Sequence, residues 1–353
     1  MIYFTAGPSQ IYPTIPQHLQ SAIEEGIMSI SHRSSQFMDI YGAMESGLRT
    51  VLGIPADYHI FLFSSATEVW ERLALNAVER ESFHLINGNF SQAFASAAKL
   101  CGKTVIEHKV ADFEGFDVDR IDVPGSSELI AAIGNESSTG VMMPPEDIAR
   151  LRKRYPEKLI VLDAVSAVPT WRVDVSALDG LYFSVQKGFG LPAGLGLLVL
   201  SPRLLEKGLE LERRGHYVGT YHRWSRLHEF SLKRQTPETP NVLSIYLLSK
   251  VCADMVPRMP EILAAHAAKY AAITDFVEQH PGLRFAVQDP RVRSNTVLVL
   301  DTDYPDVKAK LKEMESKGFA LGPGYGKMAD RQIRVANFPG TNLEQMKAML
   351  AAL

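Results

Sequence analysis

The sequence predicts an α/β protein with a mostly parallel sheet, followed by a smaller α+β domain. Through the first 250 residues, short apolar segments alternate with amphipathic segments of helix length, which is typical of parallel strands joined by crossover helices. Beyond that point a long helix comes first and the regular alternation ends. At 353 residues and 46% hydrophobic content, the chain can form two unequal domains. We assign 17–250 to the large domain, and 1–16 with 251–353 to the small one.

The predicted strands of the large domain are apolar throughout, as expected for strands covered on both faces. They are 60–63, 83–86, 129–133, 159–162, 180–184 and 195–200. The amphipathic helices between them are 40–52, 69–78, 90–100 and 145–154. The later part of the chain predicts helices 242–256, 261–279, 305–317 and 343–350, and strands 283–287, 296–300 and 332–336. The first dozen residues carry no clear element of their own.

Composition excludes several classes of function. A formal net charge of −3 offers no basic field for nucleic acid. The two cysteines, Cys101 and Cys252, form neither a CxxC pair nor a Cys/His metal-ligand spacing, so we expect reduced, buried thiols and no metal site. No leader-like segment and no apolar run of spanning length occurs. A cytoplasmic protein is therefore expected.

Asp163 ends the apolar segment 159–162, at the edge where a parallel sheet binds its ligands. An Asp after a strand most often caps a helix or a turn. The alternative is an anion held against a protonated ring nitrogen, which keeps the ring an electron sink.

Lys187 lies 24 positions later, between the end of a predicted strand and a glycine-rich turn. A solvent-facing loop lysine is an equally good interpretation of Lys187 alone. Near a desolvated, electron-poor ring, however, its pKa would fall, and the free amine could attack an aldehyde and move a proton between carbons. The catalytic hypothesis rests on Lys187 and Asp163 together.

Two polar segments also follow predicted strands. Ser64, Ser65 and Thr67 precede a predicted helix, where hydroxyls and free N–H groups bind anions such as phosphate or simply cap the helix. The segment 135–140 follows strand 129–133 and is either a ligand-binding loop or a plain turn.

In this order, these segments resemble the class V aminotransferases of PLP (pyridoxal 5'-phosphate) fold type I, and the resemblance runs the length of the chain. The phosphoserine aminotransferase group is the most similar. The matching segments are 4–9, 31–33, 135–137, Asp163, 186–187 and 192–194. The resemblance implies a large domain with a mostly parallel seven-stranded sheet and a smaller α+β domain.

The resemblance also implies roles for individual residues. Lys187 would be the Schiff-base lysine, Asp163 the partner of the pyridine nitrogen, and Ser137 a contact of the ring's phenolic oxygen. The phosphate would be held by Ala66, Thr67 and Gln186, and by Gln235 and Thr236 of a neighbouring subunit, which implies a homodimer with shared sites. Phe90 looks like the ring-stacking aromatic, where phosphoserine aminotransferases more often carry Trp.

Substrate contacts follow in the same way. Arg334 matches the carboxylate-binding arginine, and His32 with Arg33 matches a pair that helps to bind the substrate's phosphate; Ser9 and Lys327 complete the predicted set. A second His-Arg pair, expected shortly before the carboxylate arginine, is absent. The chain there reads Gly-Pro-Gly-Tyr-Gly-Lys at 322–327, as in class V enzymes that act on small unphosphorylated amino acids.

We therefore predict a PLP-dependent aminotransferase, with phosphoserine and 2-oxoglutarate as the leading substrates, in serine biosynthesis. An alanine-glyoxylate or serine-pyruvate type enzyme is the alternative. A cysteine desulfurase is disfavoured because neither cysteine lies in a suitable loop, and a dinucleotide-dependent dehydrogenase because a GxGxxG turn is missing. A non-catalytic binding module would have no use for Lys187 and Asp163 together.

Overall fold

The computed structural model describes residues 1–353 and contains fourteen strands and eleven α-helices. Up to Met255 they are β1 (Ile2–Phe4), α1 (Ile15–Glu24), α2 (Ser35–Leu52), β2 (His59–Phe63), α3 (Ala66–Ala77), β3 (Glu81–Ile86), α4 (Asn89–Leu100), β4 (Thr104–Lys109), β5 (Leu129–Ile133), β6 (Asn135–Glu136), β7 (Val141–Met142), α5 (Pro145–Arg154), β8 (Leu159–Asp163), β9 (Gly180–Ser184), β10 (Gly196–Leu200), α6 (Pro202–Arg213), α7 (Trp224–Ser231) and α8 (Val242–Met255). The remainder comprises α9 (Met259–Gln279), β11 (Leu283–Phe285), β12 (Val297–Thr302), α10 (Val307–Ser316), β13 (Phe319–Pro323), β14 (Gln332–Ala336) and α11 (Leu343–Ala352).

Seven strands form the large sheet, in the order β2-β10-β9-β8-β5-β3-β4. Strands β4, β3, β5, β8 and β9 pair in parallel, and β10 alone runs antiparallel to both of its neighbours. Every residue of β5, β8, β9 and β10 is buried, because helices cover both faces of the sheet. The predicted mostly parallel, seven-stranded sheet is confirmed.

The second sheet has five strands in the order β1-β13-β14-β12-β11. Strand β1 pairs in parallel with β13, and the other pairs are antiparallel. Its own apolar core joins these strands to α9, α10 and α11. The division at residues 16 and 250 stays a prediction.

Local signals set the ends of the helices that carry the site. The Ser34 side chain accepts the N–H of Phe37 at 3.2 Å and begins α2, and Gly53, at φ +68°, ends it. Helix α2 packs on α8, where an added Cβ on Gly47 would lie 2.6 Å from the Cβ of Cys252. That cysteine is buried as predicted, whereas Cys101 is only half-buried because it lies at the exposed end of α4, so the prediction of two buried thiols was wrong for Cys101. No helix meets the length and apolarity that crossing a lipid bilayer requires.

Candidate active site

Lys187 and Asp163 face one cavity of about 450 Å³ at the carboxyl edge of the large sheet. Asp163 is the last residue of β8, and Lys187 follows β9 by three positions. Because these strands are parallel neighbours, their carboxyl ends open on the same side. The two residues are 6% and 9% exposed, so their charges are held away from bulk water.

Burial changes the protonation of both groups. It lowers the pKa of Lys187 to about 8, although the nearby Asp163 carboxylate acts in the opposite direction. Burial also raises the pKa of Asp163 to about 6. Two other contacts act to lower that pKa: the N–H of Val165, which donates to Oδ1 at 2.9 Å, and the charge of Lys187. At pH 7 Asp163 is therefore mostly ionised, and about a tenth of Lys187 is a free amine.

The amino end of α3 forms one wall of the cavity, through Ser65, Ala66 and Thr67. The Ser65 hydroxyl caps the helix by accepting the N–H of Glu68 at 3.2 Å, while the Ala66 N–H donates to the Ser184 hydroxyl at 2.7 Å. Thr67 and Gln186 also line the cavity, and neither side chain is hydrogen-bonded within the protein. Unpaired donors beside a helix amino end suit an anion.

Glu136 holds the start of α4, where Phe90 lines the cavity. Its fully buried carboxylate accepts five hydrogen bonds, from the N–H groups of Phe90 and Ser91 (both 3.0 Å) and of Ser138 (3.1 Å), and from the hydroxyls of Ser91 (3.2 Å) and Ser138 (2.6 Å). The acceptor thus satisfies free N–H groups at the start of α4. Phe90 is held at the cavity, with its ring centroid 5.4 Å from that of Tyr325.

Arg334, on β14, faces the same cavity from the second sheet. Its Nε donates to the Pro323 carbonyl at 2.8 Å, and one terminal nitrogen donates to the Ser137 carbonyl at 3.1 Å. The guanidinium carbon lies 5.4 Å from the centre of the Tyr325 ring, and burial lowers the pKa of the group. Since the remaining N–H groups are not bonded within the protein, they can meet a carboxylate. The hydroxyl of Ser137 is likewise without a protein partner.

Four of the five predicted substrate contacts, Ser9, His32, Arg33 and Lys327, do not line this cavity. The Ser9 hydroxyl donates to the backbone carbonyls of Gln186 (3.3 Å) and Lys187 (3.1 Å), so it supports the lysine loop from behind. The side chain of Lys327 is 80% exposed and pairs with Asp112 at 3.0 Å, outside the cavity lining. The side chains of Ser9 and Lys327 therefore contact other groups of the protein and do not face the cavity.

His32, Arg33, Gln235 and Thr236 form a separate group, away from the cavity of their own chain. The Arg33 guanidinium donates to the Gln235 side-chain oxygen at 3.0 Å and to the Thr236 carbonyl at 2.7 Å. It also lies 4.6 Å from the centre of the Phe230 ring. Arg33 therefore holds the loop that carries Gln235 and Thr236. Their predicted contact with a neighbouring subunit stays a prediction.

Trp70, Ser166 and Ser184 are among the cavity residues that were not predicted as site residues from the sequence. Trp70 lies one helical turn beyond Thr67, and its indole N–H donates to the Tyr182 hydroxyl at 3.0 Å. The i, i+3 spacing from Thr67 was the available signal. Ser184 ends β9 and bonds Ala66, a contact between distant segments that no local pattern reveals.

Known proteins place this geometry in a family. The family model for aminotransferase class V matches residues 1–325. Phosphoserine aminotransferases of Corynebacterium glutamicum and Rhodococcus opacus are 27% and 28% identical, each over 99% of this chain and 93% of the relative. A solved phosphoserine aminotransferase from Cytophaga hutchinsonii is 40% identical, with a TM-score of 0.97, over 100% of this chain and 98% of that one. An aspartate aminotransferase from Thermus thermophilus, 20% identical with a TM-score of 0.87, shares the fold.

The cavity fits the cofactor of this family, PLP. It offers a buried amine of lowered pKa for the aldehyde, a buried carboxylate for the ring nitrogen and an aromatic face at Phe90. Unpaired polar groups at Thr67 and Gln186 suit the phosphate. The chain has the fold of PLP fold type I enzymes. It belongs to the class V aminotransferases and is a PLP-dependent transaminase.

Proposed function

We propose that this transaminase exchanges the amino group of phosphoserine with 2-oxoglutarate, acting in serine biosynthesis as a cytoplasmic homodimer. The supporting observation is the 40% identity to the phosphoserine aminotransferase of Cytophaga hutchinsonii over the whole chain, with a TM-score of 0.97. The curated relatives of the same name extend over nearly the full length as well. Small amino and keto acids are the substrates of the family.

When bound, PLP supplies an electron sink that stabilises negative charge at the substrate's α-carbon. Lys187 acts as the general base, taking the α-proton as a free amine and returning it to the neighbouring carbon. Its pKa of about 8 keeps a usable fraction of the amine unprotonated near neutral pH. Asp163, ionised above pH 6, holds a proton on the pyridine nitrogen.

Arg334 binds the α-carboxylate and thereby orients the α-proton toward Lys187. The two hydrogen bonds to Pro323 and Ser137 fix the plane of its guanidinium, so less side-chain entropy is lost when a carboxylate binds. Trp70, Phe90 and Tyr325 surround the cavity with aromatic surface and exclude water from the reacting carbon.

Recognition of the substrate's phosphate is assigned to His32 and Arg33 of the neighbouring subunit in the dimer. Arg33 is hydrogen-bonded to the loop of Gln235 and Thr236. His32 and Arg33 would therefore reach the neighbouring site together with this loop. Arg33 is exposed and His32 half-buried in the isolated chain, which leaves both accessible to a second subunit. Adjacent cationic donors suit a dianion.

A second candidate is an alanine-glyoxylate or serine-pyruvate type activity. The observation that favours it is the cavity itself, in which Arg334 is the only guanidinium and Lys327 is paired with Asp112 outside. A cavity with one guanidinium can bind the α-carboxylate of a substrate with a small neutral side chain, but it offers no second guanidinium for a phosphate on the substrate.

The half-reaction separates the two candidates. PLP-loaded protein is mixed in turn with phosphoserine, alanine and serine, and loss of the visible absorbance is followed together with release of the matching keto acid. Phosphoserine should be converted with a kcat/KM at least tenfold above that of alanine. Conversion by alanine but not by phosphoserine would contradict the proposal and favour the second candidate. Lys187→Ala serves as the control without turnover.

A further inference from the structure

His222 lies buried between two carboxylates, with a side chain that is 6% exposed. Its Nδ1 is hydrogen-bonded to the Glu68 carboxylate, and its Nε2 lies 3.6 Å from Oε2 of Glu238. The ring meets Phe63 edge-on, at 5.4 Å between centroids. Both Nε2 of His222 and Oε2 of Glu238 are buried and have no hydrogen-bond partner, so the contact between them is an ion pair rather than a hydrogen bond. Nothing in the proposed chemistry uses this cluster.

Glu68 connects His222 to the amino end of α3. It lies in the first turn of the helix, directly after Thr67, and its second oxygen accepts the N–H (3.0 Å) and the hydroxyl (2.8 Å) of Ser64. The carboxylate therefore ties together the turn between β2 and α3, whose next residues line the cavity. A shift of Glu68 would move the free donors at Thr67.

Glu238 connects the same histidine to the loop that begins at Gln235. Thr236 donates its hydroxyl to the Glu238 carbonyl at 2.7 Å, so the backbone of Glu238 and the side chain of Thr236 move together. Arg33 holds the other side of the loop through the Thr236 carbonyl. Residues 68 and 238 are far apart in sequence, and His222 contacts the side chains of both.

The charge on His222 makes this link strong. Burial by itself would lower the pKa of the imidazole, but the two carboxylates of Glu238 and Glu68 outweigh burial and raise the pKa to about 9. The other titratable or charged groups nearby are Arg72, whose Nε lies 3.6 Å from the same Glu68 oxygen, and the neighbouring Tyr221 ring at 4.1 Å. At neutral pH the ring is therefore an imidazolium, hydrogen-bonded through Nδ1 to Glu68 and paired by charge with the Glu238 carboxylate 3.6 Å from Nε2.

We infer that His222 is a positioning residue that holds two segments assigned to cofactor phosphate, the amino end of α3 and the loop Gln235–Pro240, in register through Glu68 and Glu238. The inference rests on the proposed function only for the assignment of these two segments to the phosphate. In a homodimer each His222 would link the phosphate contacts of its own site to those it gives to the neighbouring site. His222 itself touches neither cofactor nor substrate.

The test is the affinity for PLP itself. The free PLP concentration that leaves half the protein loaded is measured by ultrafiltration of the holoenzyme from pH 7 to pH 10, for wild type, His222→Asn, Glu238→Gln and the double variant. His216→Asn is the matched control, because this histidine is 37% exposed and its nearest carboxylate, Glu79, lies 3.7 Å away on the surface. Glu238, whose side chain is 33% exposed, provides a variant that folds even where His222→Asn does not.

We expect about a tenfold loss of affinity in His222→Asn at pH 7, about threefold in Glu238→Gln, no change in His216→Asn, and a double variant no weaker than His222→Asn alone. Because the imidazolium loses its proton as the pH rises through about 9, the ratio between His222→Asn and wild type should shrink toward 1 by pH 10. A ratio below 2 at pH 7, or one that stays constant with pH, would overturn the inference. Phosphoserine turnover is not part of this measurement, so a wrong substrate assignment leaves the result intact and is recognised separately in the half-reaction.

Discussion

The Nζ atom of Lys187 lies 5.5 Å from the centroid of the Phe90 ring, although Lys187 lies in the loop between β9 and β10 and Phe90 follows β3. Lys187 follows β9, and Phe90 lies in the first turn of α4. The amine and the aromatic face are thus fixed by separate elements, and a planar ring bound to one would lie beside the other. Phe90 keeps its place because its N–H donates to buried Glu136.

Phe90→Ala should weaken PLP binding about tenfold, because an aromatic contact contributes about 0.5–1.5 kcal/mol beyond the area it buries. Phe90→Trp should bind PLP within about twofold of wild type, since the indole offers a similar face. Ultrafiltration at pH 7 measures both affinities. Equal affinity of wild type and the alanine variant would show that Phe90 does not stack on the cofactor.

Glu136→Gln should destabilise the protein by about 1–3 kcal/mol, because the amide nitrogen would face buried N–H donors that now share a carboxylate. The free energy of unfolding in urea measures the loss. Glu107→Gln is the control, a carboxylate that pairs with the half-exposed Lys99 and should cost less than about 1 kcal/mol. Similar losses in both variants would contradict the role given to Glu136.

Lys187 should reduce the stability of the protein from which PLP has been removed. Its folded pKa of about 8 lies below the ordinary 10.5, so the unfolded chain binds the proton more tightly. The destabilisation by Lys187 is therefore absent above pH 10.5, grows as the pH falls from 10.5 to about 8 and is complete below that. Lys187→Met should gain about 1–3 kcal/mol at pH 7, discounted for the lost attraction to Asp163, and the gain should shrink toward pH 10.5.

Urea unfolding of this variant at pH 7 and pH 10 measures the gain. Lys308→Met, whose side chain is 76% exposed, is the matched control and should change little at either pH. A variant less stable than wild type at pH 7 would mean that the amine is better solvated or better paired than the contacts of Lys187 indicate.

Arg334→Met should raise the KM for every amino acid substrate and lower kcat/KM by roughly a hundredfold, since a charge-assisted, forked contact to the α-carboxylate is lost. Arg334→Lys should recover only part of the loss, because a point charge replaces the planar fork. Steady-state kinetics with phosphoserine and alanine measure both variants, and Arg331→Met, an exposed arginine, serves as the control. An unchanged KM in Arg334→Met would show that Arg334 does not bind the α-carboxylate of the substrate.

The sequence predicted the centre of the site better than its edges. Asp163 and Lys187 follow apolar strands of a parallel sheet, and the topology of such sheets alone brings strand ends together. Strand β4 was missed because its residues are largely exposed at the edge of the sheet and show no apolar run. Strand β1 was missed because three residues are too few to show the alternation of apolar and polar residues that is typical of a strand. Only its pairing with β13 defines it.

Side-chain positions outside the strand ends depend on tertiary contacts that no local pattern contains. Lys327 was predicted at the substrate, but its side chain is exposed and pairs with Asp112, which lies 215 positions earlier in the chain. Ser9 was predicted in the same set, and the carbonyls of the lysine loop take its hydroxyl instead. The link from His222 to Glu68 and Glu238 likewise joins distant segments, and no local pattern predicts it.

The most direct measurement is the chemical mapping of the lysine that holds PLP. The loaded protein is reduced with borohydride and digested, and the peptide that carries the cofactor is identified by mass spectrometry. The cofactor should be found on Lys187 alone, and Lys187→Ala should yield no labelled peptide and no visible absorbance, while Lys308→Ala behaves as wild type. A label on any other lysine, or visible absorbance retained in Lys187→Ala, would contradict the account.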